Sequence, residues 1–210
     1  MRFLLVDDHS FIREGLKKIL SMQFPNAVFE ESSTVEDVIN KIGTHQYDVV
    51  ISDLSMPGRS GLDLVKQVKE TRPSLPVLVL SMHPEEHYAI RALKAGAWGY
   101  LKKSDGATEL IAAIHRVLQG RKYISADLAE QLAEDLVGAN VKEGKLHESL
   151  SPREFDVFKL IAEGKSISEI SQQLTLSLST VSTHRIRILT KMNMKGNAEL
   201  IKYALQTGIV

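Results

Sequence analysis

Three aspartates, a serine and a lysine in the first half of the chain are of the types that capture a phosphoryl group. Asp7 and Asp8 follow the apolar run Phe3–Val6, and Asp53 ends Val49-Val50-Ile51-Ser52. Ser81 closes Val77-Leu78-Val79-Leu80, and Lys103 follows Gly99–Lys102. A carboxylate can attack phosphorus and hold the group as an acyl phosphate. Three clustered carboxylates do not all stay ionised without a cation. Hard oxygen ligands with room for water suit Mg²⁺, which binds them at ~2.0–2.1 Å and would neutralise charge on both aspartate and phosphate. A lysine adds a mobile donor for phosphoryl oxygens. Taken singly, each feature has a plainer reading: an Asp-Asp pair is a turn or a cap, and Lys102-Lys103 is a solvated surface pair. Their recurrence at consecutive strand ends points to one site.

The elements that must position these residues follow from periodicity. Short β-branched runs predict strands over Phe3–Val6, Val28–Glu31, Val49–Asp53, Val77–Ser81 and Gly99–Lys102. Helical spacing predicts helices over Phe11–Met22, Val35–Ile42, Leu62–Thr71, Glu85–Ala95 and Ala107–Leu118. Pro57-Gly58 turns the chain away after Asp53, Pro73 and Pro76 bracket the loop before the fourth strand, and Gly96 sits at a helix end. Alternating βα units argue for an α/β fold, a doubly wound five-stranded parallel sheet covered on both faces. In such sheets ligands bind outside the carboxyl ends of the strands.

Residues 1–121 closely resemble the receiver domain of two-component response regulators. The resemblance is carried by Val6-Asp7-Asp8-His9, Asp53-Leu54-Ser55-Met56-Pro57, Ser81 and Gly99-Tyr100-Leu101-Lys102-Lys103. It implies a flavodoxin-like strand order 2-1-3-4-5 and phosphoryl transfer to Asp53 from a sensor histidine kinase. It implies Mg²⁺ held by Asp8, Asp53 and the main-chain carbonyl of Ser55, with Asp7 acting through a water. Ser81 would turn toward the phosphoryl group, Tyr100 would swing inward behind it, and Lys103 matches the family lysine. Ser55 and His83 fall where the family tunes dephosphorylation.

The 210 residues suggest one or two domains, and 43% apolar content is enough for real cores. Net charge is zero but uneven: residues 1–121 carry 15 Lys+Arg against 15 Asp+Glu, residues 122–148 carry 3 against 6, and residues 149–210 carry 8 against 5. A basic final third is one pointer to nucleic acid. There is no cysteine, which excludes disulfides, thiol nucleophiles and thiolate metal sites. The N-terminal apolar run meets Asp7 too soon for a signal peptide, and no run is long enough to span a membrane. The expectation is a cytoplasmic protein without membrane contact. Residues 122–148 read as a linker with a helix over 126–137, capped by Ser125, striped by Leu128, Leu132 and Leu136, and ended by Gly138.

The last part is helical. Ser151-Pro152-Arg153-Glu154 and Ser166-Ile167-Ser168-Glu169 are capping boxes. Thr175-Leu176-Ser177 is a tight turn into a third helix, about 178–192, with Val181, Ile188, Leu189 and Met192 inward. Asn197 is placed to cap a fourth over 198–207. Two short helices joined by a three-residue turn are a helix-turn-helix signal, whose second helix enters the major groove. That helix carries Ser179, Thr180, Ser182, Thr183, Arg185, Ile186, Arg187 and Lys191, hydroxyls and cations suited to phosphate and base contacts.

Residues 149–210 resemble the four-helix, LuxR-type helix-turn-helix domain, through Leu150-Ser151-Pro152-Arg153-Glu154, Ala162-Glu163-Gly164, Glu169-Ile170-Ser171, Leu176-Ser177, Ser179-Thr180-Val181, His184 and Tyr203-Ala204-Leu205. The order receiver then LuxR-type domain is that of the NarL/FixJ class. The resemblance implies a phosphorylation-switched transcriptional regulator that binds double-stranded DNA as a homodimer touching through its last helix. The chain departs from many relatives in carrying Ser179 and Ser182 where they have lysine. The base-reading positions fall on Ser182, Thr183 and Ile186, so the target sequence is its own and a shallow salt dependence is expected.

Two other readings stand beside this one. Phosphohydrolases with an aspartyl nucleophile also place Asp at a strand end, but carry a second Asp two residues later, where this chain has Ser55. A constitutive DNA-binding protein would use the first domain only to dimerise.

Overall fold

The structure is a computed structural model and describes residues 1–56, 61–82, 85–137 and 146–210. It separates into two compact units, Met1–Ala139 and Asn140–Val210.

In the first unit, five strands form one parallel sheet: β1 (Arg2–Val6), β2 (Val28–Ser32), β3 (Val49–Asp53), β4 (Val77–Ser81) and β5 (Gly99–Lys102), in the order β2-β1-β3-β4-β5. Helices α1 (Ser10–Gln23), α2 (Val35–Thr44), α3 (Gly61–Thr71), α4 (Glu85–Ala95) and α5 (Gly106–Leu118) make the crossovers. Every residue of β3 and β4 is buried, because crossover helices cover both sheet faces and leave no wet side. Alternate residues therefore serve two cores. Phe3, Leu5, Ile51, Leu78, Leu80 and Leu101 pack with Leu16, Leu20, Ile114 and Val117 of α1 and α5. Their neighbours Leu4, Val50, Val79 and Tyr100 are equally buried on the opposite face.

The chain does not leave this unit at residue 121. Tyr123 donates its backbone N–H to the Trp98 carbonyl at 2.8 Å, just before the start of β5, and its ring is buried in the core. Ser125 Oγ then accepts the Leu128 N–H at 3.1 Å, capping α6 (Ala126–Val137) as its type predicts. The same hydroxyl donates to Glu85 Oε1 at 2.8 Å, joining the start of α6 to the start of α4. Leu128 is buried. The helix expected in a linker is thus part of the first compact unit. Pro57, Gly58, His83 and Gly138 lie outside the described residues.

The second unit holds α7 (Pro152–Ala162), α8 (Ile167–Gln173), α9 (Leu178–Lys191) and α10 (Asn197–Thr207), preceded by a 3-10 turn at Leu146–Ser149. Both capping boxes form, with Ser151 and Ser166 accepting from the Glu154 and Glu169 N–H groups. Ser177 caps α9 by accepting from Thr180 N. Thr175 takes φ 53°, turning the chain between α8 and α9. Phe155, Phe158, Ile170, Val181, Ile188 and Leu200 fill the core. Asn197 does not cap α10. The N-cap is Gly196, and the Asn197 side chain is instead occupied by Arg185 of α9, whose Nε donates to its Oδ1 at 2.7 Å. A long cation on the facing helix competed for that amide and won it.

Candidate functional site

The parallel register sets the acidic site. Val6 pairs with Ser52, Asp53 with Leu80 and Ser81 with Lys102, so four strands end together at one edge of the sheet. Asp53, the last residue of β3, is 6% exposed, and Asp7, directly after β1, is 1% exposed. Lys103 reaches both from beyond β5. Its Nζ lies 2.7 Å from Asp7 Oδ2 and 3.2 Å from Asp53 Oδ1. Its backbone N–H donates to the Ser81 carbonyl at 2.7 Å, which fixes the root of the side chain. Lys102 points elsewhere, toward Asp105, at 3.9 Å. Ser81 is fully buried and Tyr100 is 1% exposed, so the tyrosine is already turned inward.

Burial raises the Asp53 carboxyl above its ordinary 3.8. The Lys103 charge opposes that rise, and the Asp7 charge adds to it. Burial alone would lower the Lys103 ammonium. Its hydrogen bond to Asp7 and the Asp53 charge outweigh that and hold it above 10.5. One lysine between two carboxylates leaves this corner electron-rich even before Asp8 is added.

Asp8 supplies the test of a metal. Its Oδ1 is a buried atom with no hydrogen-bond partner; His9 Nδ1 sits 3.0 Å away but without hydrogen-bonding geometry. Candidate ligand atoms of Asp7, Asp8 and His9 lie within 4.8 Å of one another. An orphaned carboxylate oxygen in a cluster of hard donors fits a divalent cation such as Mg²⁺. His9 also holds Asp7 in place, its backbone N–H donating to Asp7 Oδ1 at 2.8 Å.

Two further residues shape the site without having been singled out in the sequence. Arg13 donates to the Asp7 carbonyl at 2.5 Å and is itself held by Glu31 at 3.0 Å. Gly61 passes against the tip of β3, and a Cβ there would overlap the Asp53 carbonyl oxygen and the Leu54 Cα. A glycine opening a helix after a strand-end aspartate is the signal that could have found it. Ser55 is exposed beside the site.

In the second unit α9 presents a mixed surface. Ser179, Thr183, Ile186, Arg187 and Lys191 are exposed, while Thr180, Ser182 and Arg185 are half-buried. Several polar groups are already engaged. Arg185 holds Asn197, and Lys191 Nζ donates to Glu154 Oε2 at 2.6 Å. The Thr180 hydroxyl lies 2.7 Å from that of Ser177. His184 has a buried Nδ1 without a partner, and burial, ahead of nearby cations and against the pull of Glu154, depresses its pKa.

Residues 3–115 match the response regulator receiver domain, and residues 148–204 match bacterial regulatory proteins of the luxR family. The chain is a response regulator. It belongs to the NarL/FixJ class, with a receiver followed by a LuxR-type DNA-binding domain. This response regulator is similar to the response regulator UvrY of Escherichia coli (strain K12), 35% identical over 206 residues that span 98% of this chain and 94% of that one. Among solved structures it resembles RcsB from Salmonella enterica serovar Typhimurium bound to promoter rprA in the presence of the phosphomimetic BeF3⁻. That likeness has a TM-score of 0.59 and 27% identity, and covers 97% of each chain. A structure of two RcsB dimers bound to two parallel DNAs is equally similar, with the same TM-score, identity and coverage. Among the described residues of the response regulator, no helix is long and apolar enough to cross a membrane.

Proposed function

We propose that this response regulator is a cytoplasmic, phosphorylation-switched transcription factor whose phosphoacceptor is Asp53. The observation that carries the reading is Lys103, whose ammonium bridges Asp7 and Asp53 from a strand end far away in sequence. A sensor histidine kinase supplies the group. An Asp53 carboxylate oxygen attacks the phosphorus of the kinase phosphohistidine; the new P–O bond forms as the P–N bond breaks, and the departing imidazole takes a proton from water. Lys103 keeps Asp53 ionised for that attack and then binds a phosphoryl oxygen. Asp8, Asp53 and the Ser55 carbonyl would hold Mg²⁺, with Asp7 acting through a water. Once bound, that ion neutralises charge on the aspartate and the phosphoryl oxygens. Ser81 binds the phosphoryl group from the end of β4, and Tyr100 fills the space behind it. Water later attacks the acyl phosphate and restores Asp53. With Ser55 where a phosphohydrolase carries its general acid, the site is set and reset rather than turning over outside substrates.

The output is DNA binding by a homodimer through α9. Phosphorylation need only favour one arrangement of the chain differentially. Ser182, Thr183 and Ile186 face bases, with Ser179, Thr180, Arg185, Arg187 and Lys191 around them. The RcsB structures support this reading, since that relative was captured on promoter DNA with a phosphomimetic and as DNA-bound dimers. Asp53→Asn is expected to abolish labelling by acetyl phosphate in the presence of Mg²⁺. Labelling that persists in the variant moves the phosphoacceptor elsewhere.

A further inference from the structure

The outward side of α9 is one stripe. Ser179, Thr183, Ile186 and Thr190 are exposed at helical spacings of three and four, with Ser182 on the border, opposite the buried Val181 and Ile188. Ile186 lies in the stripe and is 61% exposed. A single exposed isoleucine is ordinary on a protein surface. What distinguishes this one is the chemistry around it. Thr183 Oγ1 donates to the Ser179 carbonyl at 2.9 Å, and Thr190 Oγ1 donates to the Ile186 carbonyl at 3.0 Å. The Ser179 hydroxyl lies 2.8 Å from that of Ser177. Of the three long cations on α9, Arg185 and Lys191 are held by Asn197 and Glu154, and Arg187 is exposed at the edge of the stripe. The centre of the stripe therefore offers methyl groups and oxygen acceptors, and its long donor, Arg187, stands at the edge.

That chemistry matches one edge of DNA better than another. Guanine shows two acceptors in the major groove and is read by paired donors, which isoleucine lacks. Thymine shows a C5-methyl group, which apolar side chains read by contact. We propose that α9 recognises thymine methyl groups, with Ile186 as the contacting side chain, an inference that rests on α9 being the DNA-reading helix. Cytosine carries no such methyl, so Ile186 discriminates T·A from C·G at the pair beneath it. A 5-methylcytosine at that position is read as thymine is.

The test uses full-length phosphorylated protein. Binding sites are first selected from a random duplex pool. Each thymine of the selected site is then replaced singly by deoxyuridine, which removes only the methyl, and affinity is measured for wild type and Ile186→Ala. Ile186 is exposed, so the variant retains its fold, which thermal melting verifies. At least one thymine per half-site is expected to lose about fourfold in wild-type affinity when its methyl is removed, the worth of one buried methyl-sized group. The same replacement is expected to cost Ile186→Ala nothing. Equal sensitivity in both proteins, or none in wild type, overturns the proposal. Failure of the wild type to enrich any duplex overturns the DNA-reading assignment of α9 itself, and the proposal with it.

Discussion

Asp53 and Glu154 are both carboxylates less than a tenth exposed, and each has a lysine ammonium beside it, at 3.2 Å and 2.6 Å. Their pKa values nevertheless move in opposite directions. Burial pushes both up. For Glu154 that is overcome by the Lys191 ammonium and by the Ser151 N–H, which donates at 2.7 Å, so its carboxyl sits below the ordinary 4.5. For Asp53 it is not overcome, because its lysine is shared with Asp7 and sits closer to that partner. The count of donors per carboxylate, together with the heavier burial cost on Asp53, separates the two. Glu154 is satisfied and ties α7 to α9. Asp53 is under-satisfied, and a site short of positive charge favours a bound cation.

The strongest way to break this contrast is to remove the satisfied member. Glu154→Ala loses the reciprocal half of a capping box and the ion pair to the exposed Lys191, at a cost of about 1–3 kcal/mol in the DNA-binding domain. Calorimetric unfolding reads it. Because the folded pKa of Glu154 is depressed, its contribution is present at neutral pH and is lost as pH falls below about 4.5. The gap between wild type and Glu154→Ala should therefore close in acid. A gap that persists there would mean that Glu154 acts by packing alone.

Removing Lys103 sharpens the other side. In Lys103→Met, Asp7 and Asp53 face each other without a cation, which is expected to cost roughly 1–3 kcal/mol at neutral pH and to slow acetyl phosphate labelling. With the Lys103 charge gone, the Asp53 carboxyl holds its proton still more tightly in the folded state than in the unfolded state, so stability rises as pH falls. Urea titrations at neutral and mildly acid pH measure this, and a pH-independent loss would contradict the charge argument.

The smallest effect has the opposite sign. The folded pKa of Asp53 is raised, so its ionised form subtracts from stability at neutral pH, and the subtraction disappears as pH falls through the folded pKa toward 3.8. Asp53→Asn is expected to raise the melting temperature of the receiver by a few degrees at neutral pH, with the gain gone in acid. A melting temperature that falls instead would show that Asp53 is as well satisfied as Glu154.

Much of this was legible in residue order. The runs ending at Asp53, Ser81 and Lys102 are strands with those ends, because a fully buried parallel strand is predominantly apolar, with the buried Ser52 the one polar residue inside these runs, and charged or polar residues gather at its carboxyl edge. Both capping boxes could be read for the same local reason: cap and partner lie three residues apart. Asn197 shows the limit. A capping signal is local, but its amide was taken by Arg185 from another helix. Gly61 left only the weak signal of a glycine opening a helix, and Arg13 left none, because their importance comes from backbone atoms of other segments, the Asp53 and Asp7 carbonyls, and such contacts leave no periodic trace.

The sequence by itself therefore determined most strand ends and helix starts and the residue types gathered at the strand tips, since periodicity and caps are short-range. Only the tertiary structure decided how charge is shared. It placed one lysine between two aspartates, left Asp8 Oδ1 without a hydrogen-bond partner, and tied Lys191 and Arg185 back into the fold while Ile186 stayed exposed. Those outcomes depend on distances between residues far apart in the chain. A donor given to one acceptor is withheld from another, and no local pattern records which acceptor receives it.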